Sequence, residues 1–111
     1  MKKFREERWK TMIKHVILWK IKDDISGEEK EKIKEGVKNG LESLKDKVSG
    51  IDEIKVITNG LSSSNADVML DSTFESEDAL KGYATHPEHV KVADNNVRPY
   101  MEIRMCMDYE I

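Results

Sequence analysis

Hydrophobic and polar positions alternate along four stretches of the chain, as they do in strands that bury one face. The first stretch, Met12 to Ile21, is rich in branched and aromatic residues and predicts the first strand. Shorter stretches predict three more strands, at Ile54 to Thr58, Ala66 to Phe74 and Met101 to Tyr109. In the first strand, one face carries Ile13, His15, Ile17, Trp19 and Ile21.

The segment after the first strand has the spacing of an amphipathic helix. Ser26 and Glu29 form a capping-box pattern, which satisfies backbone N–H groups at a helix start. Gly36 and Gly40 each weaken such a helix by about 1 kcal/mol relative to Ala. We interpret both as marking close packing on the sheet, with space for a ligand as the alternative. The apolar stripe that faces the sheet is Ile33, Val37, Leu41, Leu44 and Val48.

A proline interrupts the second helical segment. This helix is predicted to run from about Glu77 toward Thr85, with acidic residues in its first turn. Pro87 disfavours helical geometry at the residue before it and suits the first position of a helix. His86 is therefore predicted to end one helix and to cap the next, which extends to about Asn95.

The order β-α-β-β-α-β predicts an α+β protein of the ferredoxin-like type, with a four-stranded antiparallel sheet and both helices on one face. The opposite face is too apolar for bulk water and too mixed for a second layer of the same chain. We expect a homodimer whose sheets stack face to face as a dimeric α/β barrel. The residues assigned to that face are Val16, Leu18 and Met69 with Lys14, Lys20, Asp67, Asp71, Glu102 and Arg104.

This assignment of faces leads to expectations for three charged residues and three methionines. Lys20, Asp71 and Arg104 are expected to form ion pairs across or beside the dimer interface. The methionines of the last strand are expected to be flexible core filler rather than copper ligands. They are Met101, Met105 and Met107.

Composition restricts the partners. The 111 residues suffice for one domain with a single core. The 19 basic and 22 acidic residues are interspersed, so we expect no nucleic-acid partner. Neither a membrane span nor a signal-peptide core is evident, and we expect a cytoplasmic protein without a membrane partner. Cys106 is the only cysteine, which fits a reducing compartment and, in an apolar strand, predicts a core residue.

The segment GYATHPEHV, residues 82–90, concentrates the candidate chemistry. It contains Tyr83, His86 and His89, and His15 faces the helices from the first strand. A neutral histidine can remove a proton next to a carbonyl, and a tyrosine hydroxyl can stabilise the enolate that forms. We predict that these groups converge on an apolar cavity between the second helix and the sheet. The alternative is that they only shape the fold, as a helix cap, a surface histidine and a core tyrosine.

A metal site in the same segment is a further alternative. His86 and His89 are three residues apart and flank Glu88. A third protein ligand is usually required, and only His15 or an acid such as Asp94 is available to provide it. Because spacing marks no third ligand, we expect no metal site here.

Three tracts of the chain resemble the stress-responsive dimeric α/β-barrel family, called Dabb. They are HVILWKIKDDIS near the start, DSTFESEDALKGYATHPEHV in the second half and the closing MDY. The resemblance covers roughly Met12 to Tyr109, which implies one domain over 12–111 and an N-terminal extension over 1–11. It also implies a dimeric ferredoxin-like barrel and no organic cofactor.

The chain is more distantly similar to a plant branch of that family, the polyketide cyclases, which close a linear tetraketide by an intramolecular aldol condensation. Carried over residue by residue, the catalytic tyrosine and histidine of that branch are Tyr83 and His89. Val68 stands where that branch has a further histidine, and the aromatic lining is thinner. The predicted ligand-binding residues are His15, Ile17, Trp19, Val68, Leu70, His86 and Met101.

We therefore predict a small dimeric protein that binds a hydrophobic, carbonyl-bearing small molecule. Cyclase- or isomerase-like general acid–base activity, without an organic cofactor, is the catalytic hypothesis. The alternative is a non-catalytic, stress-related binding or structural protein. Small oxygenases share this fold, but the sequence contains no specific signature of them.

Overall fold

The computed structural model describes residues 11–111, so nearly all of the extension predicted over 1–11 lies outside the described residues. Within residues 11–111 the strands are β1 (Ile13–Ile21), β2 (Ile51–Ile57), β3 (Val68–Phe74) and β4 (Met101–Glu110). The α-helices are α1 (Gly27–Glu42), α2 (Glu77–Thr85) and α3 (Pro87–Val92). A 3₁₀ turn, Ser43–Asp46, continues α1, and a π turn, Ala93–Val97, with a 3₁₀ turn, Arg98–Tyr100, joins α3 to β4.

The sheet has the strand order β2-β3-β1-β4, and all neighbouring strands are antiparallel. This order confirms the predicted ferredoxin-like α+β class. Strand β1 lies in the middle, where His15 is opposite Ser72 of β3 on one side and Asp108 of β4 on the other. Strand β4 forms an edge of the sheet.

The hydrophobic core lies between the helices and one face of β1, β2 and β3. The alternating residues predicted on the first strand are buried, and so are all five residues of the predicted stripe. The Ser26 side chain accepts a hydrogen bond from the Glu29 backbone N–H at 3.2 Å, so the capping pattern is confirmed. Among the described helices, none is both long enough and apolar enough to cross a bilayer.

The close packing predicted at the α1 glycines is present, but the partner is another helix and not the sheet. A Cβ atom at Gly40 would lie 2.9 Å from Val92 Cγ1 of α3. The Asn96 side-chain amide donates to the Gly36 carbonyl oxygen at 3.2 Å. These contacts hold α1 against the segment that follows Pro87.

Strand β4 faces the other way from the prediction along most of its length. An irregularity between Lys20 and Ile21 shifts the register, and Arg104 is therefore opposite Trp19, on the helix-facing side. Ile103 is opposite Lys20, on the other side. The assignment of Arg104 to the dimer face is thus wrong, because one extra residue in β4 reverses the alternation.

The same reversal changes the environment of three residues of β4. Met105 and Met107 are 66% and 67% exposed, so they are not core filler within this chain. Cys106 is also exposed, because β4 is an edge strand beyond the helices. The prediction of a core position for these three residues is wrong for the single chain.

The face of the sheet turned away from the helices, here called the open face, contains both apolar and charged side chains. Lys14 Nζ lies 2.5 Å from Asp71 Oδ1 and also donates to Thr73. Lys20 pairs with Asp23 of its own chain. Lys20 and Asp71 thus have partners within the chain. The exposed apolar residues on this face include Leu18, Ile103, Met105 and Met107.

Candidate functional site

A cavity of about 270 Å³ lies between the sheet and helices α2 and α3, beside the edge strand β4. The predicted polar side chains on its wall are His15 from β1, Tyr83 from α2 and His89 from α3, and the wall also includes the charged residues Arg98, Glu102 and Arg104. The sequence places the three predicted groups around one cavity, and the structure brings them together there. Apolar predicted residues on the same wall are Ile17, Trp19, Leu70 and Met101.

The break between α2 and α3 positions the two side chains of the GYATHPEHV segment. Helix α2 ends at Thr85, and the His86 side chain accepts a hydrogen bond from the Glu88 backbone N–H at 3.0 Å, which caps α3. Pro87 occupies the first turn of α3, where it does not break a helical hydrogen bond. His89 then lies in the first turn of α3, against the end of α2.

Tyr83 is 2% exposed, and its ring lies 4.9 Å from that of Phe74 between centroids. Its hydroxyl is fully buried and has no hydrogen-bond partner among residues 11–111. Burial raises the pKa of this hydroxyl well above its ordinary value. Tyr83 is therefore a neutral donor at physiological pH and has an unused hydrogen bond.

The imidazole of His89 packs over Tyr83, with ring centroids 4.2 Å apart. Its Nδ1 lies 3.2 Å from the Ala84 carbonyl oxygen. Because a carbonyl oxygen only accepts, Nδ1 carries the proton and Nε2 keeps its lone pair. Burial lowers the pKa of His89, and the positive charges of Arg98 and Arg104 act in the same direction. The neutral base form is thus favoured.

His15 is buried beside the same cavity and is held by strand β4. Its Nδ1 donates to the Asp108 carboxylate across an Nδ1–Oδ1 distance of 2.5 Å. The His15 ring meets the edges of Tyr83 and Phe74, with centroids 6.2 and 6.0 Å away. Asp108 therefore fixes the orientation of a histidine next to Tyr83.

Two predicted ligand-binding residues are not brought to this cavity. The His86 side chain is used in capping α3. Val68 is opposite Trp19 at the start of β3 and borders a separate depression that also involves Ile57. The metal alternative at His86 and His89 has no support among residues 11–111, because the group with metal-ligand spacing there includes neither of these histidines.

Sequence reasoning missed Asp108 and Arg104 as cavity neighbours. Arg104 lines the cavity, and Asp108 holds His15. The only signal for them is the register of β4 against β1, which depends on the irregularity at Lys20 and Ile21. The alternation of β4 taken alone indicates the wrong face.

The arrangement can transfer a proton. It combines a neutral imidazole whose Nε2 keeps its lone pair, a buried hydroxyl donor, and a wall with both apolar and charged side chains. A ligand that contacts Tyr83 from the cavity would also lie beside the His89 ring, because the two rings are in contact.

Comparison with known proteins identifies the family to which the chain is similar. The model of the stress responsive A/B barrel domain, Dabb, matches residues 13–111. A stress-response A/B barrel domain-containing protein of Arabidopsis thaliana is 32% identical over 103 residues, which is 88% of this chain and 36% of that protein. The chain thus spans about a third of the length of that curated relative.

Solved structures agree on the fold. A dimeric protein of unknown function with a ferredoxin-like fold from Bacteroides fragilis is 38% identical, with a TM-score of 0.85 over 90% of this chain and 96% of that chain. A hydroxynitrile lyase from Passiflora edulis is 18% identical, with a TM-score of 0.70 over 92% of this chain and 94% of that chain. The second likeness concerns the fold alone.

Proposed function

The chain belongs to the stress-responsive A/B barrel domain family, and we propose that it binds a small, carbonyl-bearing apolar molecule in the cavity beside Tyr83 and His89. We propose further that His89 removes a proton from the carbon next to the carbonyl while Tyr83 donates to the carbonyl oxygen. The observation behind this proposal is the Tyr83 hydroxyl, which is buried without a partner among the described residues.

A buried hydroxyl without a hydrogen bond destabilises the ligand-free protein by about 1–3 kcal/mol. Because the hydroxyl is fully buried, the Tyr83 side chain must shift toward the cavity before a ligand can reach it. A carbonyl oxygen that then accepts from Tyr83 would remove that cost. An apolar ligand body suits the wall formed by Ile17, Trp19 and Leu70. Binding energy and orientation would then come from different parts of the same ligand.

The proton would move to His89 Nε2. The Ala84 carbonyl holds Nδ1–H, so Nε2 is the nitrogen that can accept. Negative charge on the enolate oxygen would be stabilised by the Tyr83 hydroxyl, whose raised pKa keeps its own proton in place. In an isomerisation the imidazolium would return the proton to carbon. In a cyclisation the enolate carbon would bond to the carbon of a second carbonyl group of the same ligand, whose π electrons move to its oxygen, and that alkoxide would take the proton from the imidazolium.

The volume of the cavity limits the size of the ligand. Pockets for small molecules usually enclose about 300–1,000 Å³, and this cavity has about 270 Å³. A ligand of one aromatic ring with a short carbonyl side chain fits this size. Acetophenone is therefore a suitable probe, since its methyl protons lie next to the carbonyl.

Exchange of the acetophenone methyl protons with solvent deuterium tests the proposal, followed by NMR against pH. The His89 pKa is lowered by burial from its ordinary value of 6.5. A base is lost as pH falls through its folded-state pKa, so catalysed exchange should decline toward acid with a midpoint below pH 6.5. A midpoint above pH 6.5 would contradict this assignment of the base. Binding without any catalysed exchange would instead favour the non-catalytic alternative.

Self-association is supported by the dimeric relative from Bacteroides fragilis. We propose that two copies pack through the open face. This face exposes Leu18, Met105 and Met107, and burial of such side chains against a second copy is favourable. The Lys14–Asp71 pair lies among them and would fix the register of the two sheets.

Met105→Glu is expected to convert the dimer to a monomer, because it places a charge within the apolar part of the proposed interface. The dimer dissociation constant should rise at least about 100-fold, measured by analytical ultracentrifugation. Leu61→Glu is the matched control, since Leu61 is 79% exposed in the loop between β2 and β3. A Met105→Glu protein that still sediments like the unchanged protein would place the interface elsewhere.

A further inference from the structure

Three side chains with metal-binding atoms lie together at the junction of β1 and β4. They are His15, Cys106 and Asp108, and their Nδ1, Sγ and carboxylate oxygen atoms all lie within 4.8 Å of one another. Among residues 11–111 they are the one group of three or more His, Cys, Asp or Glu side chains with such spacing. The sequence did not indicate this group, because His15 is distant in the chain from Cys106 and Asp108 and the alternation of the last strand puts those two on the opposite face from His15.

Strand pairing explains why the three side chains meet. Cys106 and Asp108 are two residues apart on β4, so they point to the same face. His15 is directly opposite Asp108 in the register of β1 and β4. The main-chain ladder between two strands therefore fixes all three positions, without dependence on a loop.

The distances are close to those of a tetrahedral zinc site. Bond lengths of about 2.3 Å to sulfur and about 2.0–2.2 Å to nitrogen and oxygen put the sulfur roughly 3.5 Å from both other donors. The observed distances from Cys106 Sγ are 3.8 Å to His15 Nδ1 and 3.5 Å to Asp108 Oδ1. The Nδ1–Oδ1 distance is 2.5 Å because a hydrogen bond joins these atoms, and it must open to roughly 3.3 Å around an ion.

The donor set selects the kind of metal. Thiolate and imidazole favour zinc and similar transition metals, whereas magnesium and calcium prefer oxygen donors. A thiolate and a carboxylate together balance the charge of a divalent ion. Because the thiolate is the form that binds a metal ion, binding would release the Cys106 thiol proton to solvent.

An ion can reach this group from solvent and keep one coordination position open. A surface depression of about 440 Å³ is bordered by His15, Cys106 and Asp108 and opens beside the end of β4. Cys106 is exposed, and Asp108 is also exposed. Three protein ligands with water in the fourth position is the arrangement of open zinc sites.

We propose that His15, Cys106 and Asp108 bind one zinc-type divalent ion per chain, with a fourth position open to the depression beside β4. This site is separate from the Tyr83–His89 pair and does not depend on the proposed proton transfer. His15 borders both sites, so the ion would replace the hydrogen bond that orients His15 in the metal-free protein.

Titration of the full-length, metal-free protein with Co²⁺, under a non-thiol reductant, tests the proposal. One equivalent per chain should produce a thiolate-to-cobalt charge-transfer band, and Zn²⁺ should then abolish it by displacement. Cys106→Ser should remove the band, and Asp108→Asn should weaken Co²⁺ binding at least about tenfold. Both positions lie on an exposed edge strand, so both variants are expected to fold.

His86→Asn is the matched control, because Asn also caps helices and His86 is outside the group. It should leave the dissociation constant for Co²⁺ within about twofold of that of the unchanged protein. The first ten residues contain neither His nor Cys, so they offer no competing imidazole or thiolate. No charge-transfer band at one equivalent, or a band that survives in Cys106→Ser, would overturn the proposal.

Discussion

Tyr83→Phe is expected to stabilise the ligand-free protein, with the free energy of unfolding rising by about 1 kcal/mol or more. The reason is that the substitution removes a buried hydroxyl without a partner and keeps the aromatic ring. The packing of that ring on Phe74 and His89 should be preserved. For a domain of this size, the melting temperature should rise by roughly 4 °C or more.

Denaturant unfolding and calorimetry measure this effect, both without ligand. Tyr100→Phe is the matched control, because Tyr100 is only partly buried and its hydroxyl is not among the unpartnered buried groups. It should change stability by less than about 0.5 kcal/mol. A loss of stability in Tyr83→Phe would show that the hydroxyl already has a favourable partner, and the main support for a carbonyl ligand would disappear.

His89→Ala is expected to lower the catalysed exchange of acetophenone methyl protons by about 10²–10⁴-fold. The other imidazole on the cavity wall, His15, lies farther from Tyr83, with ring centroids 6.2 Å apart against 4.2 Å for His89. His86 caps α3. Ligand affinity should fall much less, since Tyr83 and the apolar wall remain. The measurement is deuterium incorporation by NMR at pH 7, with affinity determined in parallel.

His86→Asn distinguishes the loss of a base from a disturbance of α3. Asparagine preserves the cap of the helix that carries His89, so exchange should remain within about twofold of the unchanged protein. If both variants lose exchange equally, the loss in His89→Ala comes from a disturbance of α3 and not from the loss of a base. If His89→Ala keeps full exchange, His89 is not the base.

The fold was largely predictable because the physical signals are local. The alternation on β1 and β3 predicts strands, and the Ser26 pattern predicts the start of a helix. Pro87 predicts a break between two helices. The helix partner of Gly40 was not predictable, because a glycine indicates close approach without naming the neighbour. The predicted helix from Pro87 to about Asn95 agrees with helical structure that continues past Val92 to Val97, but the sequence pattern does not show that this last part is a π turn.

The candidate site was predictable only in part. The cavity brings together His15, Tyr83 and His89. Each belongs to a strand or helix whose inner face can be read from its hydrophobic and polar positions. Strand β4 contains apolar residues on one side and polar residues on the other, and this pattern predicts the wrong inner face. In the structure its apolar side is the open face, where a second copy would cover it. Asp108 and Cys106 were therefore missed as neighbours of His15.

The most direct test of the Tyr83–His89 cavity compares two ligands of similar shape, acetophenone and ethylbenzene, by NMR titration. Only acetophenone can accept a hydrogen bond from Tyr83. It should bind at least about tenfold more tightly than ethylbenzene, a difference of about 1.4 kcal/mol, and Tyr83→Phe should remove that preference. Equal affinities in the unchanged protein, or a preference that persists in Tyr83→Phe, would contradict a carbonyl-binding role for this cavity.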